Sequence, residues 1–381
     1  MTAVDTVKAL ITVKSVALHR VRVPLVEPFR ISNGEVVEKE AILIEVATPD
    51  NKYVGWGEAS PMTGNFYSGD TPESAWDSLV NNLVPVVLND GEIDVPGFYE
   101  RLRSCEVDPF SKSGLEGALW DVYANSLGAP LYELLGGSSQ PIPSGVAIGI
   151  YNEIGELLDR VKRYVAYGYR RVKIKIEPGW DIEPVRAIRK QFPALPLMVD
   201  ANAAYSIEDL EVFRELDSCD LMMIEQPLAR DAHVDAAELQ RQLHTPLCAD
   251  ESAESMESLS SLIANRSARI INIKVQRVGG LSEAMLMLRA ARAAGLECWV
   301  GTMPELGVAS AQGLHFASLD GFSYPTDIEA SSRWYVDDLV TPGIEIDSQG
   351  WIHLPSGPGF GYRVDREKVE RYTIERVDFA N

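Results

Sequence analysis

A repeat of about 25 residues in the middle of the chain restricts the fold more than any other feature of the sequence. Short apolar runs end at regular positions, and a helix-like segment follows each run. The runs end at Ile150, Lys175, Asp200, Glu225, Asp250 and Lys274, with steps of 25, 25, 25, 25 and 24 residues. Alternating strands and helices predict parallel strands with helical crossovers, and a long series of such units predicts a (β/α) barrel. In such a barrel the chemistry lies at the C-terminal ends of the strands.

The runs are apolar at most positions, as expected for strands of a sheet that helices cover. They are Val146–Ile150, Arg171–Lys175, Pro196–Asp200, Leu221–Glu225, Pro246–Asp250 and Ile270–Lys274. Two later segments, Glu297–Val300 and Gly321–Tyr324, bring the number of strands to about eight. The sequence therefore predicts an α/β fold with a (β/α)7β TIM-like barrel.

The 381 residues exceed the roughly 250 of a typical barrel by enough for a second, smaller domain. Alternating apolar residues at 13–25 and 41–47 predict an antiparallel sheet, and Ser113 and Glu116 resemble a capping box that opens a helix. A Gly- and Pro-rich linker covers 136–143. We therefore predict an α+β domain at 1–137, the barrel at 138–334, and a C-terminal segment at 335–381 that packs back on the first domain.

Composition excludes several classes of function. The formal net charge of −21 argues against nucleic acid or an anionic membrane as a partner. The four cysteines are far apart and form no Cys-x-x-Cys pair, so free thiols are expected. The sequence has neither a membrane-length apolar run nor a signal-peptide pattern, which predicts a cytoplasmic protein.

Three carboxylates end successive predicted strands, at Asp200, Glu225 and Asp250. Barrel closure would bring them together at one mouth, where they would repel each other unless they were neutralised. Hard oxygen ligands in this number suit Mg²⁺, with Mn²⁺ as an alternative. The sequence therefore predicts a divalent metal site.

Lys175 and Lys274 end the strands on either side of this trio. A lysine acts as a base only when its pKa is lowered, and a neighbouring cation such as Lys173, together with a metal, acts in that direction. For Lys173 itself an ordinary salt bridge is an open alternative. A metal between opposed amines suggests removal of the proton α to a carboxylate, through an enediolate that Mg²⁺ stabilises.

With these residues in view, the chain resembles the enolase superfamily, in its muconate-lactonizing subgroup, over nearly its whole length. The matching motifs are Lys173-Ile174-Lys175, Asp200-Ala201-Asn202, Ile224-Glu225-Gln226-Pro227, Ala249-Asp250-Glu251-Ser252 and Asn272-Ile273-Lys274. The resemblance implies that Lys175 and Lys274 are the acid/base pair, that the carboxylate trio binds Mg²⁺, and that Asn202 and Glu251 support the ligands from behind.

The same resemblance implies that the N-terminal domain caps the barrel and that its loops at 26–31 and 61–67 close over the substrate. Both loops are too rich in Pro or Gly to suggest regular structure. Candidate substrate contacts are Phe29, Phe66, Tyr67, Met303, Glu305, Asp327 and Glu329.

Within the superfamily, Arg277–Leu281 and Asp327–Trp334 are similar to the o-succinylbenzoate synthases and their relatives that racemise N-succinylamino acids. The sequence departs from that group at Val275-Gln276 and at Gly301–Glu305, both beside the pocket. A dipeptide epimerase, with Asp327 and Glu329 holding an ammonium group, and a muconate cycloisomerase are alternatives. A barrel that binds a carboxylate without turnover is a fourth, although paired lysines argue against it. The expected partner is a small carboxylate, and the superfamily resemblance suggests a homo-oligomer.

Overall fold

The structure is a computed structural model that describes residues 10–32, 34–64 and 68–380. Its N-terminal part contains five strands, β1 (Ile11–Thr12), β2 (Ser15–Ile31), β3 (Gly34–Ala47), β4 (Val54–Ala59) and β5 (Glu92–Ile93). Its helical segments are α1 (Pro72–Ser78), a π-helical turn at Leu79–Leu83, α2 (Val84–Asn89), α3 (Tyr99–Ser104), α4 (Pro109–Leu127) and α5 (Leu131–Leu135).

The predicted antiparallel sheet is confirmed, but β2 is longer than expected. Residues 26–31, predicted as an irregular loop, belong to β2, with a shift in register against β3 between Pro24 and Phe29. The bulge accommodates Pro24 and Pro28, which have no N–H to donate to a ladder. The segment after β4, including 61–64, is irregular as predicted.

Helix α4 begins earlier than the sequence motif suggested. Asp108 caps it by accepting a hydrogen bond from the Ser111 N–H at 2.8 Å, and a proline occupies the first turn. Ser113 and Glu116 therefore lie inside the helix rather than at its start. The helix packs directly on β4, because a Cβ added to Gly57 would lie only 1.9 Å from a backbone oxygen of α4.

The barrel follows a short strand, β6 (Ile142–Pro143). Its seven parallel strands are β7 (Val146–Ile148), β8 (Val172–Lys175), β9 (Leu197–Asp200), β10 (Ile224–Glu225), β11 (Leu247–Ala249), β12 (Ile270–Ile273) and β13 (Glu297–Val300), adjacent in chain order. Residues 322–327 close the ring. The Ser323 N–H donates to the Cys298 oxygen at 2.9 Å, and the Gly145 N–H donates to the Thr326 oxygen at 2.8 Å. The predicted TIM-like barrel is confirmed.

Helices connect the barrel strands on the outside. They are α6 (Ile154–Tyr167), α7 (Ile182–Gln191), α8 (Leu210–Asp217), α9 (His233–Gln242), α10 (Met256–Asn265), α11 (Val275–Val278), α12 (Leu281–Ala293) and α13 (Gly307–Ala317), whereas α14 (Ser331–Trp334) follows the segment that closes the ring. Short 3-10 turns occur at Pro49–Asn51 and Ile207–Asp209. Most of the longer helices around the barrel bury an apolar stripe against the sheet, for example Leu157, Val161 and Tyr164 of α6.

The C-terminal segment returns to the first domain, as predicted. It contains β14 (Val340–Thr341), β15 (Trp351–Ile352), β16 (Arg363–Val364), α15 (Arg366–Tyr372) and β17 (Thr373–Ala380). Strand β17 pairs antiparallel with β2, so the N-terminal sheet has the order β17-β2-β3-β4. The tail therefore completes the sheet of the capping domain.

A buried histidine joins three parts of the chain. His315 of α13 accepts a hydrogen bond at Nδ1 from the Tyr132 N–H (3.0 Å), and its Nε2 lies 3.1 Å from the Phe360 oxygen, to which it donates. Burial lowers the pKa of His315 to about 4. The neutral ring therefore links the capping domain, the barrel and the C-terminal segment.

This histidine should make stability depend on pH. Between pH 6.5 and about 4 the unfolded chain binds a proton at His315 that the folded protein does not. The contribution of His315 to the free energy of unfolding therefore falls as the pH falls. We expect the difference in unfolding free energy between wild type and His315→Gln to shrink by about 1–2 kcal/mol from pH 7 to pH 5. Urea unfolding of both proteins across this range measures it, and a constant difference would contradict the assignment.

Candidate active site

Five charged side chains meet at the C-terminal mouth of the barrel. In the register of the sheet Lys175 lies beside Asp200, and Asp200 lies beside Glu225. Asp250 and Lys274 come directly after β11 and β12. All five are buried, with at most 7% of each residue exposed. The regular spacing in the sequence thus becomes one layer of charged groups inside the barrel.

The three carboxylates are close enough to share a cation. One ligand oxygen from each of Asp200, Glu225 and Asp250 lies within 4.8 Å of the others. Opposite ligands of an octahedral Mg²⁺ site are about 4 Å apart. The donor set is made of hard oxygens and is fully buried, so these residues fit a divalent metal ion.

The electrostatics of the trio are uneven. Burial and the nearby Asp200 raise the pKa of Glu225 above its usual range. Burial also acts to raise the pKa of Asp250, but the Arg277 guanidinium and the Lys274 ammonium lower it by more, to well below its usual range. Without a cation, the negative charge of Glu225 is therefore less well compensated than that of Asp250.

Each predicted acid/base lysine contacts a carboxylate of the trio. Lys175 Nζ donates to Asp200 Oδ2 at 2.5 Å and to Asn202 Oδ1 at 2.9 Å. Lys274 Nζ donates to Asp250 Oδ2 at 2.9 Å. The strands that carry the two lysines, β8 and β12, are separated by β9, β10 and β11, so the amines approach the trio from different sides.

Lys173 lies one layer deeper than Lys175 on the same strand. Its Nζ donates to Glu225 Oε2 at 3.1 Å and to a carboxylate oxygen of Asp327. Although burial acts to lower the pKa of Lys173, the negative charges of Asp327 and Glu225 raise it well above its usual value. Of the two alternatives that the sequence left open for this residue, the arrangement corresponds to the ion pair.

Asn202 and Glu251 lie behind the carboxylates. The Asn202 N–H donates to Asp200 Oδ1 at 3.0 Å, and its side-chain amide donates to Glu251 Oε1 at 3.0 Å. Asn202 has a left-handed backbone, with φ of 42°, a conformation that asparagine tolerates better than most residues. The pair connects the loops that follow β9 and β11.

The pocket above these charges has a largely apolar wall. Its apolar lining residues are Phe29, Ile31, Met62, Ala147, Met303, Pro304 and Trp334. Phe29 meets Trp334 edge to face at 4.9 Å between ring centroids, which joins the capping strand β2 to α14. Of the predicted contacts, Phe29 and Met303 line the pocket, whereas Phe66 and Tyr67 lie outside the described residues.

Glu305 is not among the described residues that line this pocket. It accepts a hydrogen bond from the Met303 N–H at 3.1 Å. Burial and the nearby Glu58 raise its pKa to about 8. Its position supports the pocket wall from behind.

Asp327 and Glu329 reach the pocket, but cations of the protein already engage both. Arg171 Nη2 donates to Asp327 Oδ1 at 2.7 Å, and Lys173 holds the other oxygen. Glu329 accepts from the Ala147 N–H at 2.7 Å and lies 3.3 Å from Arg333 Nε. The acidic pair therefore has less capacity for an incoming ammonium group than the sequence suggested.

Two arginines that sequence reasoning left without a role belong to this site. Arg171 is fully buried and pairs with Asp327, while Arg277 pairs with Asp250. Arg171 directly precedes β8 and alternates with Lys173 and Lys175, so the alternation of strand side chains contained the signal for Arg171. Arg277 stands one helical turn after Lys274, a spacing that places both near the same carboxylate.

In the part of the chain that the structure describes, no helix is both long enough and apolar enough to cross a membrane.

Comparisons with known proteins agree with this geometry. Residues 13–136 match the profile of the mandelate racemase / muconate lactonizing enzyme N-terminal domain, and residues 156–369 match the enolase C-terminal domain-like profile. An o-succinylbenzoate synthase of Geobacillus stearothermophilus is 42% identical over 95% of this chain and 96% of its own length. An N-succinylamino acid racemase of Amycolatopsis sp. is 37% identical over 95% of this chain and 98% of its own.

A solved structure extends the match to three dimensions. A member of the enolase superfamily from Listeria innocua has a TM-score of 0.92 and 34% identity, and the match covers 98% of this chain and 100% of that one. Two family models, relatives that match over nearly their whole length, and a shared fold all indicate the same family. The chain is an enzyme of the enolase superfamily and belongs to its mandelate racemase / muconate lactonizing enzyme family.

Proposed function

We propose that this enzyme removes the proton α to a carboxylate, and that it forms o-succinylbenzoate by dehydration, racemises N-succinylamino acids, or does both. The observation that carries the proposal is the pair of lysines, Lys175 and Lys274, on different sides of the carboxylate trio. The names of the two similar enzymes supply the substrates.

The two lysines account for both reactions. In racemisation, one amine takes the α-proton, the C–H electron pair moves into the carboxylate, and the other ammonium returns a proton to the opposite face. In dehydration, Lys175 takes the proton and hydroxide leaves the neighbouring carbon. The Lys274 ammonium then stabilises the negative charge that develops.

The trio would hold Mg²⁺, with Mn²⁺ as the alternative. When bound, the ion supplies positive charge beside the substrate carboxylate, where negative charge develops during proton removal. Asn202, Lys173 and Arg277 hold the carboxylates in place through the hydrogen bonds and ion pairs described above. The apolar wall excludes water from the rest of the substrate.

A substrate assay tests the proposal. Purified enzyme with Mg²⁺ should form o-succinylbenzoate from its hydroxy-acid precursor, or abolish the optical rotation of N-succinylamino acids. Muconate, the substrate of the cycloisomerase alternative, should remain unchanged. Binding of these acids without turnover of any would support a carboxylate-binding barrel instead and refute the proposal.

Dipeptides should be poor substrates. Arg171 and Lys173 hold Asp327, and Arg333 and a backbone N–H hold Glu329, so an incoming ammonium would displace existing partners. We expect kcat/KM for dipeptide epimerisation at least about 100-fold below that for N-succinylamino acids, which corresponds to about 3 kcal/mol. Chiral chromatography of matched dipeptide and N-succinyl series measures the ratio. A ratio that favours dipeptides would reassign the enzyme as an epimerase.

Metal removal should abolish turnover and lower stability. Dialysis against EDTA should reduce the rate to background, and added Mg²⁺ should restore it. Because the folded protein binds the ion and the unfolded chain does not, Mg²⁺ at about 100 times its Kd should stabilise the fold by about 2.7 kcal/mol. Calorimetry with and without Mg²⁺ provides a readout independent of activity. Full turnover in metal-free buffer would contradict the metal role.

Three further assignments belong to this proposal. The chain divides into a capping domain at 1–137, a catalytic barrel at 138–334 and a C-terminal segment at 335–381. We also propose that the enzyme is a cytoplasmic homo-oligomer, and analytical ultracentrifugation would test its state of association.

A further inference from the structure

A buried amide from the barrel holds the part of the capping domain that reaches the pocket. Gln276 lies in α11, two residues after Lys274, and is only 1% exposed. Its Oε1 accepts a hydrogen bond from the Ser60 N–H at 3.1 Å. Ser60 directly follows β4 and is completely buried. A side chain beside the lysine thus fixes the backbone of the opposite domain.

The other side of the same segment is held from within the capping domain. Lys39 Nζ donates to the Ser60 oxygen at 3.0 Å and to the Pro61 oxygen at 2.7 Å. Lys39 is itself 1% exposed, so these contacts are shielded from water. The backbone at 60–61 therefore donates one hydrogen bond to the barrel, from the Ser60 N–H, and accepts two from Lys39 of the capping domain.

A second buried amide contacts the other end of the Gln276 side chain. Its Nε2 donates to Gln312 Oε1 at 3.1 Å, and Gln312 Nε2 donates to the Ser113 oxygen in α4 at 3.3 Å. The Ser60 N–H itself selects the end of Gln276 that faces it, because only the amide oxygen can accept from an N–H. Gln312 takes part in the network without contacting residues 60–62 through any of these bonds.

The segment that these hydrogen bonds hold ends at the pocket. Met62 follows two residues after Ser60, is 4% exposed, and lines the same pocket as Lys274 and Met303. We propose that Gln276 is a positioning residue that sets where Met62 lies relative to Lys274, and that it thereby determines how tightly the apolar part of the substrate is held. The inference rests on the proposed function for its substrate and names a specificity determinant of that site.

Kinetics of Gln276→Met test the inference, because methionine has a similar length and removes both hydrogen bonds. Displacement of a pocket wall weakens the binding of substrate and transition state together, so KM should rise about tenfold while kcat changes less than threefold. Gln312→Met, the matched control, leaves the bond to Ser60 and should keep KM within about twofold of wild type. The Mn²⁺ affinity of both variants should match that of wild type.

A double-mutant cycle with Met62→Ala separates positioning from general packing. If Gln276 acts through Met62, the two substitutions together should raise KM little more than either alone. Additive effects, or equal effects of the Gln276 and Gln312 substitutions, would overturn the inference. Should Gln276→Met not fold, Gln276→Asn replaces it, since that side chain is one methylene too short to reach both partners.

Amide hydrogen exchange distinguishes failure of this inference from failure of the proposed function. Exchange of the peptide that contains residues 60–62 should be at least tenfold faster in Gln276→Met than in wild type, and nearly unchanged in Gln312→Met. This measurement needs no substrate. Unchanged exchange in Gln276→Met would overturn the positioning role, whereas wild-type protein that turns over none of the acids would refute only the proposed function.

Discussion

Replacement of Lys175 or Lys274 by methionine is expected to lower kcat by a factor of about 10³ or more. A positioned acid or base contributes typically 10²–10⁴-fold, and each reaction proposed here uses both lysines. Methionine keeps most of the side-chain volume, so the pocket should retain its shape. Neither lysine is a metal ligand, and removing an ammonium leaves its carboxylate more negative. Metal affinity should therefore be kept or increased.

Steady-state kinetics and isothermal titration with Mn²⁺ measure the two quantities separately. Lys162→Met, an exposed position on α6 that does not line the pocket, serves as the control and should have wild-type kinetics. A variant at Lys175 or Lys274 that retains more than about a tenth of wild-type kcat would remove that lysine from the mechanism. Loss of metal binding together with turnover would show a structural rather than a chemical role.

Two neutral replacements within the trio should differ in their effect on the free energy of unfolding of the metal-free protein. Asp250→Asn leaves Lys274 and Arg277 buried without their shared charge partner, which should cost about 3–5 kcal/mol. Glu225→Gln removes a carboxylate whose raised pKa shows that the folded protein disfavours its charge. The glutamine oxygen can still accept from Asn272, and Lys173 keeps its ion pair with Asp327, so stability should change by less than about 1 kcal/mol, or increase.

Both substitutions should nevertheless weaken metal binding by at least about 100-fold, because each removes one anionic ligand. Urea unfolding in EDTA and Mn²⁺ titration distinguish the two effects. Equal destabilisation by both substitutions in EDTA would contradict the uneven electrostatics of the trio. Retained metal affinity in either variant would remove that carboxylate from the ligand set.

The barrel could be predicted because its repeat is long and regular. Six strand ends at steps of about 25 residues fix both the fold and the layer in which Lys175, Asp200 and Glu225 meet. Strands in such a barrel are in parallel register, so sequence spacing converts directly into spatial proximity. The carboxylate trio followed from this argument without knowledge of any contact.

Features that depend on contacts between distant segments could not be predicted in the same way. One error, the start of α4, is local instead: Ser113 and Glu116 match a capping pattern, but Asp108 and Pro109, a few residues earlier, provide the cap. The extension of β2 through 26–31 requires pairing with β3, which compensates for two prolines. Local sequence patterns do not contain such tertiary effects.

The pairing of Asp327 shows the same limit within the site. The sequence suggested that Asp327 and Glu329 could bind an ammonium group, because Arg171, the partner of Asp327, lies 156 residues away in the chain. Gln276 likewise lies 216 positions from its partner Ser60 in the chain. The contact of Gln276 with Ser60 forms only when the capping domain and the barrel meet, and the contact of Arg171 with Asp327 forms only when the barrel closes.

Deuterium incorporation at the α-carbon tests the two-lysine assignment most directly. In D₂O with Mg²⁺, wild-type enzyme should introduce deuterium into both enantiomers of an N-succinylamino acid, as followed by mass spectrometry after chiral separation. The Lys175→Met/Lys274→Met double variant, with its metal bound, should introduce none above the buffer rate. Incorporation by the double variant at the wild-type rate would contradict the account, and so would wild-type enzyme that neither incorporates deuterium into any acid nor forms o-succinylbenzoate.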